Sequence, residues 1–414
     1  MRRVAVISYH SSPLAEPGTG DAGGMTVYVR EVARVMAKRQ IRTDVFTRSS
    51  SGSVEVTDIF PGVRVIAIPA GPVGIVPKAA LPDHIADFVA GVRAFAAGHR
   101  ISYDIVHSHY WQSGIAGVEL ADAWNVPLMH SSHTLAKVKN RFLPPGDEPE
   151  PPTRLAGEAE VISAADILIA STDEEWEHLA CLYGGHHDRI KTIYPGVDHS
   201  TFLPGDRDRA RAELGFSDEA ILAFVGRIQP LKGLDLALQA VEQLVPVVDR
   251  PLKLVIVGGD SGTSEGGSEK ARLTQLAHTL GIGDSVVFVG PQPHDRTPLF
   301  YRAADAAVVC SYSESFGLSA LEAQACGIPV VGTDVGGLRH IVRDGRSGYL
   351  VGSREPSDFA GRVKTLLADR DLLARFSDNA IDSAASFTWD RTGRELAVLY
   401  ECLITERLPE ACTC

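Results

Sequence analysis

The chain has 414 residues, with 52 acidic against 40 basic side chains, a formal charge of −12, and 44% apolar content. That length suits two or three domains with ample core, in an ordinary globular balance. The acidic excess argues against nucleic-acid binding, and no apolar run of ~18 residues offers a membrane span.

The chain opens on Met1-Arg2-Arg3 and an apolar strand at 4–8, which breaks into polar Tyr9-His10-Ser11-Ser12. This run is too short for a secretion signal, so a cytoplasmic protein is expected. Further strands are expected at 43–47, 64–68, 104–108, 128–131, 167–171 and 191–194, with helices such as 25–39, 83–97, 155–164 and 173–183 between them. Near-continuous apolar strands alternating with helices indicate a parallel sheet covered on both faces. A charged stretch at 204–211 interrupts the pattern, which restarts at 220–226 and continues with strands at 252–257, 286–289, 306–310, 329–332 and 348–351. The expected fold class is therefore α/β, with two doubly wound, Rossmann-like domains facing across a cleft and a boundary near residue 200. A Pro/acid loop at 144–152 and a Gly/Ser loop at 258–268 read as flexible. The six cysteines (Cys181, Cys310, Cys326, Cys402, Cys412 and Cys414) read as reduced thiols, the last two in a frayed tail.

Residues 314–322, ESFGLSALE, follow the strand at 306–310 and a polar loop. They place Glu314 before a Phe316-Gly317 turn and Glu322 one turn into the helix that starts at Leu318. Backbone N–H groups at Phe316, Gly317 and Leu318 would point into the crevice where α/β sheets bind ligands, a setting for a diphosphate. The plainer reading is an exposed loop acid and a solvated helix acid. Arg227 and Lys232 follow the first strand of the second half and suit the same anion, although such cations are more often surface charges.

Gly18, Gly20 and Gly23 match G-x-G-x-x-G, but about nine residues separate them from the strand, too far for a dinucleotide fingerprint. Gly23-Gly24 is better read as a cleft wall where a ligand approaches the backbone closely. Histidines cluster at two strand ends, His107-Ser108-His109 and His130-Ser131-Ser132-His133. A metal reading competes here, but no HExxH or cysteine pairing supports it. His107 and His130 are expected in the core, and His133 where the strand opens to a substrate. Lys78, Tyr110, Thr134 and Arg154 are unremarkable singly, with Lys78 and Arg154 expected on solvated loops. Asp206-Arg207-Asp208 and Asp369-Arg370-Asp371 mimic a metal-binding D-x-D, but in charged segments away from strand ends.

GRIQPLKG (226–233) followed by ESFGLSALEAQACGIPVVGT (314–333) resembles the nucleotide-sugar signature of the retaining GT-B glycosyltransferases of family 4, and the likeness covers nearly the whole chain. The segments YHSSPLAEPGTGDAGGM, YDIVHSHYWQSG and HTLAKVKN resemble the D-inositol-3-phosphate glycosyltransferases of mycothiol biosynthesis. The resemblance implies a domain at 1–200 that binds the acceptor, a nucleotide-sugar domain at 201–386, and a helix within 387–414 that returns to the first domain. It implies transfer of N-acetylglucosamine from a UDP donor (the related alternative base is GDP) to 1D-myo-inositol 3-phosphate, with retention of configuration.

By the same resemblance, Arg227 and Lys232 hold the diphosphate, Glu322 the ribose, and Glu314 the sugar hydroxyls. Gly24, Gln292 and the backbone of Phe316–Leu318 complete the donor site, and His133 meets the sugar's outer hydroxyl. Lys78, Tyr110, Thr134 and Arg154 grip the acceptor phosphate, with His10, Asp21 and Thr26 beside the acceptor. No enzymic nucleophile is implied, and no metal is required, although backbone groups near Tyr301, Arg302 and Ala304 can hold a non-essential Mg. The partners are small molecules, with neither nucleic acid nor membrane and with room for a homodimer.

Two departures from the family stand out. Thr26 replaces an acceptor-facing Asn, and Gly71-Pro72-Val73-Gly74-Ile75 replaces Gly-Pro-Tyr-Glu-Gly. These leave open an antibiotic-pathway homologue that transfers a GDP-activated octose to ergothioneine. A non-catalytic sugar-nucleotide-binding protein and an NAD-dependent oxidoreductase are the readings from other classes.

Overall fold

The computed structural model describes residues 2–260 and 268–405. Most of the 258–268 loop and the Cys412/Cys414 tail lie outside the described residues.

The first half builds an eight-stranded sheet from β1 (Arg3–Ile7), β2 (Arg42–Ser49), β3 (Glu55–Phe60), β4 (Val63–Pro69), β5 (Ile105–His109), β6 (Leu128–Ser131), β7 (Ile167–Ala170) and β8 (Ile190–Thr192). Its order is β3-β4-β2-β1-β5-β6-β7-β8. The helices are α1 (Gly24–Lys38), α2 (Ile85–Gly98), α3 (Trp111–Trp124), α4 (Ala136–Lys139), α5 (Pro152–Ala164) and α6 (Asp173–Tyr183). All pairings are parallel except β3 with β4, an edge hairpin that the apolar pattern did not announce. Most of β3 is exposed, so its sequence carries no buried stripe to read.

The second half builds a parallel six-stranded sheet from β9 (Ala220–Val225), β10 (Leu252–Val257), β11 (Val286–Gly290), β12 (Ala306–Val309), β13 (Val330–Thr333) and β14 (Gly348–Val351), ordered β11-β10-β9-β12-β13-β14. Its helices are α7 (Arg207–Leu214), α8 (Leu234–Leu244), α9 (Glu269–Thr279), α10 (Thr297–Ala303), α11 (Leu318–Ala325), α12 (Leu338–Ile341), α13 (Pro356–Ala368) and α14 (Arg370–Ala384). The last helix, α15 (Trp389–Ile404), packs on α1, and Tyr400 hydrogen-bonds His107 of β5 at 2.7 Å. Among the described residues no helix is long and apolar enough to cross a membrane.

From Val4 to Ile7 in β1 and along the whole of β9 the residues are apolar because both faces of these strands are buried. In β1, Val4 and Val6 enter the core shared with α1 and α15, while Ala5 and Ile7 enter the core under α2 and α3. In β9, Ala220, Leu222 and Phe224 face one core, and Ile221 and Ala223 the other. The strand order reverses between β1 and β5 and again between β9 and β12. A crevice outside the carboxyl ends of strands forms at such a reversal. His10 and Tyr110 leave the first reversal, and Arg227 and the 311–314 loop leave the second.

Candidate active site

The two crevices face each other and enclose one cleft of about 590 Å³. Every residue expected at the donor or acceptor site lines it except Thr26. Thr26 is fully buried in α1, its hydroxyl bonded to Ser11 Oγ at 2.8 Å and accepting the Gly23 amide at 3.3 Å. Its hydroxyl orders the loop before α1, and the side chain does not line the cleft where the sequence reading had placed it beside an acceptor.

On the C-terminal wall, Lys232 Nζ donates to Glu314 Oε2 at 2.6 Å, and Ser311 Oγ donates to the same oxygen at 3.0 Å. The carboxylate is thus held between a cation and a hydroxyl, with its other oxygen outside these bonds. Gly317 sits at φ 100°, a conformation suited to glycine, and opens α11 at the cleft. The Glu314 carbonyl accepts the Gly337 amide at 2.9 Å, and a Cβ on Gly336 would overlap that carbonyl oxygen. The glycine pair therefore locks the Glu314 loop. Nothing beyond a Gly-Gly after a strand signalled this in the sequence.

Glu322 is buried and accepts from His294 Nε2 at 2.7 Å and from the Tyr301 hydroxyl at 3.4 Å. Burial opposes the His294 imidazolium, but Glu322 outweighs it and the pKa is raised. Arg30 of α1 reaches His294 Nδ1 at 3.3 Å and so links the two domains. His294 was not among the sequence candidates, since a lone histidine in a loop carries no motif. Arg227 stands 3.8 Å from Asp21 of the opposite domain. Burial lowers its pKa against the pull of Asp21, Tyr110 and Glu314, and an arginine stays charged regardless.

The N-terminal wall is assembled from scattered segments. Lys78 Nζ lies 4.5 Å from the centre of the Tyr110 ring, and the Arg154 guanidinium 5.0 Å from it. Arg154 Nη2 donates to Thr134 Oγ1 at 2.9 Å, and His10 packs on Tyr110 with ring centres 4.6 Å apart. Arg154 was expected on a solvated loop. It lies instead in the first turn of α5, 5% exposed, paired with Glu150 at 3.0 Å and Glu158 at 2.8 Å. Burial acts to lower its pKa, but Tyr110, Glu158 and Glu150 outweigh it and the pKa is raised. The charge is kept inside because its acids travel on the same helix and the loop before it.

Tyr110 adopts φ 75° and ψ 155°, a region that costs a non-glycine residue about 1–3 kcal/mol. Its amide donates to Ser131 O at 2.9 Å and its carbonyl accepts from Gly114 at 2.8 Å, bonds that hold the strained peptide. His133, at φ 60°, shares a 2.9 Å hydrogen bond between its Nε2 and His109 Nδ1. His107 and His130 are satisfied in the core, the first by Tyr400 and Ser131 and the second by Ser108 at 2.9 Å. Burial pushes His107, His130 and His133 down to about 3, and His10 and His109 well below the usual range. These imidazoles are neutral.

Among the described residues no three His, Cys, Asp or Glu side chains converge as a metal would need. Asp206 and Asp369 cap α7 and α14. In the segment expected to hold Mg, the Tyr301 carbonyl accepts the Ala304 amide at 2.9 Å at the end of α10.

The arrangement can hold an anion between Arg227 and Lys232, orient a polyol with Glu314, Glu322 and His133, and hold a second anion at Lys78 and Arg154. Comparison with known proteins bears on this geometry. The family profile described as glycosyl transferases group 1 matches residues 206–383, and that described as glycosyl transferase 4-like domain matches residues 23–196. The chain is 49% identical over 405 residues to D-inositol 3-phosphate glycosyltransferase 2 of Catenulispora acidiphila, covering 96% of this chain and 94% of that protein. It is 47% identical over 412 residues to the D-inositol 3-phosphate glycosyltransferase of Acidothermus cellulolyticus, covering 98% and 91%. Sucrose-phosphate synthase of Thermosynechococcus elongatus superposes with a TM-score of 0.89 at 30% identity, over 98% of this chain and 100% of that one. The HepE protein of Anabaena, in complex with UDP and glucose, shares the fold with a TM-score of 0.77 at 20% identity, over 97% and 100%. Two facing doubly wound domains, two matching profiles and whole-length relatives agree: the chain belongs to the GT-B glycosyltransferases of family 4.

Proposed function

We propose that this glycosyltransferase moves N-acetylglucosamine from UDP-N-acetylglucosamine to 1D-myo-inositol 3-phosphate, retaining the anomeric configuration. The observation that carries the acceptor is the group of Lys78, Tyr110, Thr134 and Arg154. Two cations flank one phenol beside a hydroxyl, and among the described residues Lys78 forms no ion pair. Cations with hydrogen-bond donors suit a phosphate dianion. The names of the relatives at 47–49% identity support the same acceptor and do not favour an antibiotic-pathway substrate.

In this reading Arg227 and Lys232 stabilise the charge that grows on the departing diphosphate, already fixed in place before the bond breaks. Glu314 and His133 hold the sugar from opposite walls, and Glu322 takes the ribose hydroxyls. The leaving phosphate oxygen receives the acceptor proton on the face from which it departs, so no side chain need form a bond to the sugar. Catalysis is positioning plus charge stabilisation. The test is incubation with UDP-N-acetylglucosamine and 1D-myo-inositol 3-phosphate, with the product mass and anomeric coupling measured. A phosphorylated α-linked glycoside is expected. Absence of that glycoside from fully folded, UDP-binding protein would overturn the assignment.

A further inference from the structure

One carboxyl group in the cleft has a buried oxygen without a partner. Glu175 lies in the first turn of α6, where the helix N-terminus makes an acid ordinary. Thr172 caps the helix, its hydroxyl accepting the Glu175 amide at 3.1 Å. In a reciprocal cap the acid reaches back to an amide at the helix start. Here Glu175 Oε2 does so one residue further back, accepting from the amide of Ser171 at 2.7 Å and from the Ser171 hydroxyl.

A single oxygen therefore completes the cap. The other, Oε1, is buried without a partner, in a side chain that is 6% exposed and lines the cleft. Buried polar atoms in native proteins nearly always have partners, because leaving one unmade costs its full desolvation. Burial accordingly raises the Glu175 pKa, against the two bonds from Ser171.

The position narrows what the partner is. Ser131 of β6 pairs with Ile169 of β7, so His133 and Ser171, each two residues on, leave the sheet at neighbouring strand ends. Tyr28 stands beside them, its ring 5.0 Å from that of His133 and its phenol within the field of Glu175. Phosphates belong to the cation pairs Arg227/Lys232 and Lys78/Arg154, and a carboxylate would repel them. What fits against Oε1 is a neutral hydrogen-bond donor on the group that sits opposite Glu314.

We infer that Glu175 Oε1 accepts a hydrogen bond from a hydroxyl or amide N–H of the transferred sugar, which makes Glu175 a specificity residue for the donor. The inference rests on the glycosyl-transfer reading above. Glu175→Gln keeps an oxygen for Ser171 but turns an NH₂ donor toward the cleft. Glu175→Ala removes both roles. Calorimetric titration with UDP and with UDP-N-acetylglucosamine separates them, since UDP lacks the sugar and reports an intact C-terminal site.

The expected result for Glu175→Gln is UDP affinity within about twofold of wild type and UDP-N-acetylglucosamine weakened by about tenfold or more. Affinities that change equally for both ligands, or for neither, overturn the inference. So does loss of UDP binding in both variants, which would assign Glu175 to the cap alone. Wild-type protein that binds UDP but forms no glycoside from UDP-N-acetylglucosamine sinks the functional reading and this inference together. Wild type that forms it, with variants whose UDP-N-acetylglucosamine affinity matches wild type's, sinks the inference only.

Discussion

The C-terminal wall draws Glu314, Phe316, Gly317, Leu318 and Glu322 from nine consecutive residues, whereas the N-terminal wall gathers Lys78, Tyr110, Thr134 and Arg154 from four separate segments. The first is held by a compact loop, with Gly336 and Gly337 pressed against Glu314 and Phe316. The second is held by buried polar contacts and a strained peptide at Tyr110. In the proposed reading the contiguous motif takes the donor, and the acceptor meets side chains that can change one at a time.

The two walls should also respond oppositely to acid, and this is the largest effect expected. His10, His107, His109, His130 and His133 are buried neutral, with pKa values below the ordinary ~6.5. The unfolded chain therefore binds more protons than the folded one below that pH. Their contribution is complete above about pH 6.5 and is lost as pH falls toward the folded values. By pH 5.5 His107, His130 and His133, each lowered to about 3, lose on the order of 1 kcal/mol apiece, and His10 and His109 act in the same direction. His294 on the other wall has a raised pKa, so its contribution is present below about pH 6.5 and is lost as pH rises through its folded value. Trp111, Trp124, Trp176 and Trp389, the four tryptophans, all lie in or against the N-terminal domain. Their fluorescence is expected to report unfolding between pH 6.5 and 5 in advance of lost UDP binding. Simultaneous loss would erase the contrast.

Next in size is Lys232→Ala, which strips Glu314 of its cation and, in the proposed reading, removes the positive charge facing the diphosphate. Turnover is expected to fall about 10²–10³-fold, with the acceptor KM within about threefold of wild type in steady-state assays. The smallest is Arg154→Ala, with an acceptor KM raised about 10–100-fold and a donor KM nearly unchanged. Because Glu150 and Glu158 lose their partner, the melting temperature should fall as well. Arg154→Lys restores part of that loss without the forked contact to the acceptor. Equal rises in both KM values would remove Arg154 from the acceptor pocket.

Much of this architecture was legible in the sequence, for a physical reason. Strands buried on both faces leave uninterrupted apolar runs, so β1, β9 and β12 announce themselves and fix the strand ends where ligands bind. The cleft positions of Glu314 and Glu322 were legible because one lies in the loop at the end of β12 and the other one turn into the helix that loop leads to. Arg154 was misread because its burial depends on Glu150 and Glu158 folding over it, and an isolated arginine carries no trace of that. The burial of Thr26 was not legible because its hydroxyl finds Ser11, fifteen residues away, a contact that no local pattern announces. The exposed strand β3 had no buried face to leave a pattern.

The return of α15 to the first domain has a consequence for how the protein is made. His107 and Tyr400, which share a hydrogen bond, are 293 residues apart in the chain. During synthesis the N-terminal sheet emerges first, yet the core beneath α1 lacks Trp389, Leu396 and Leu399 until the last helix has left the ribosome. The domain that is translated first is thus completed last, after the whole C-terminal domain has had time to fold.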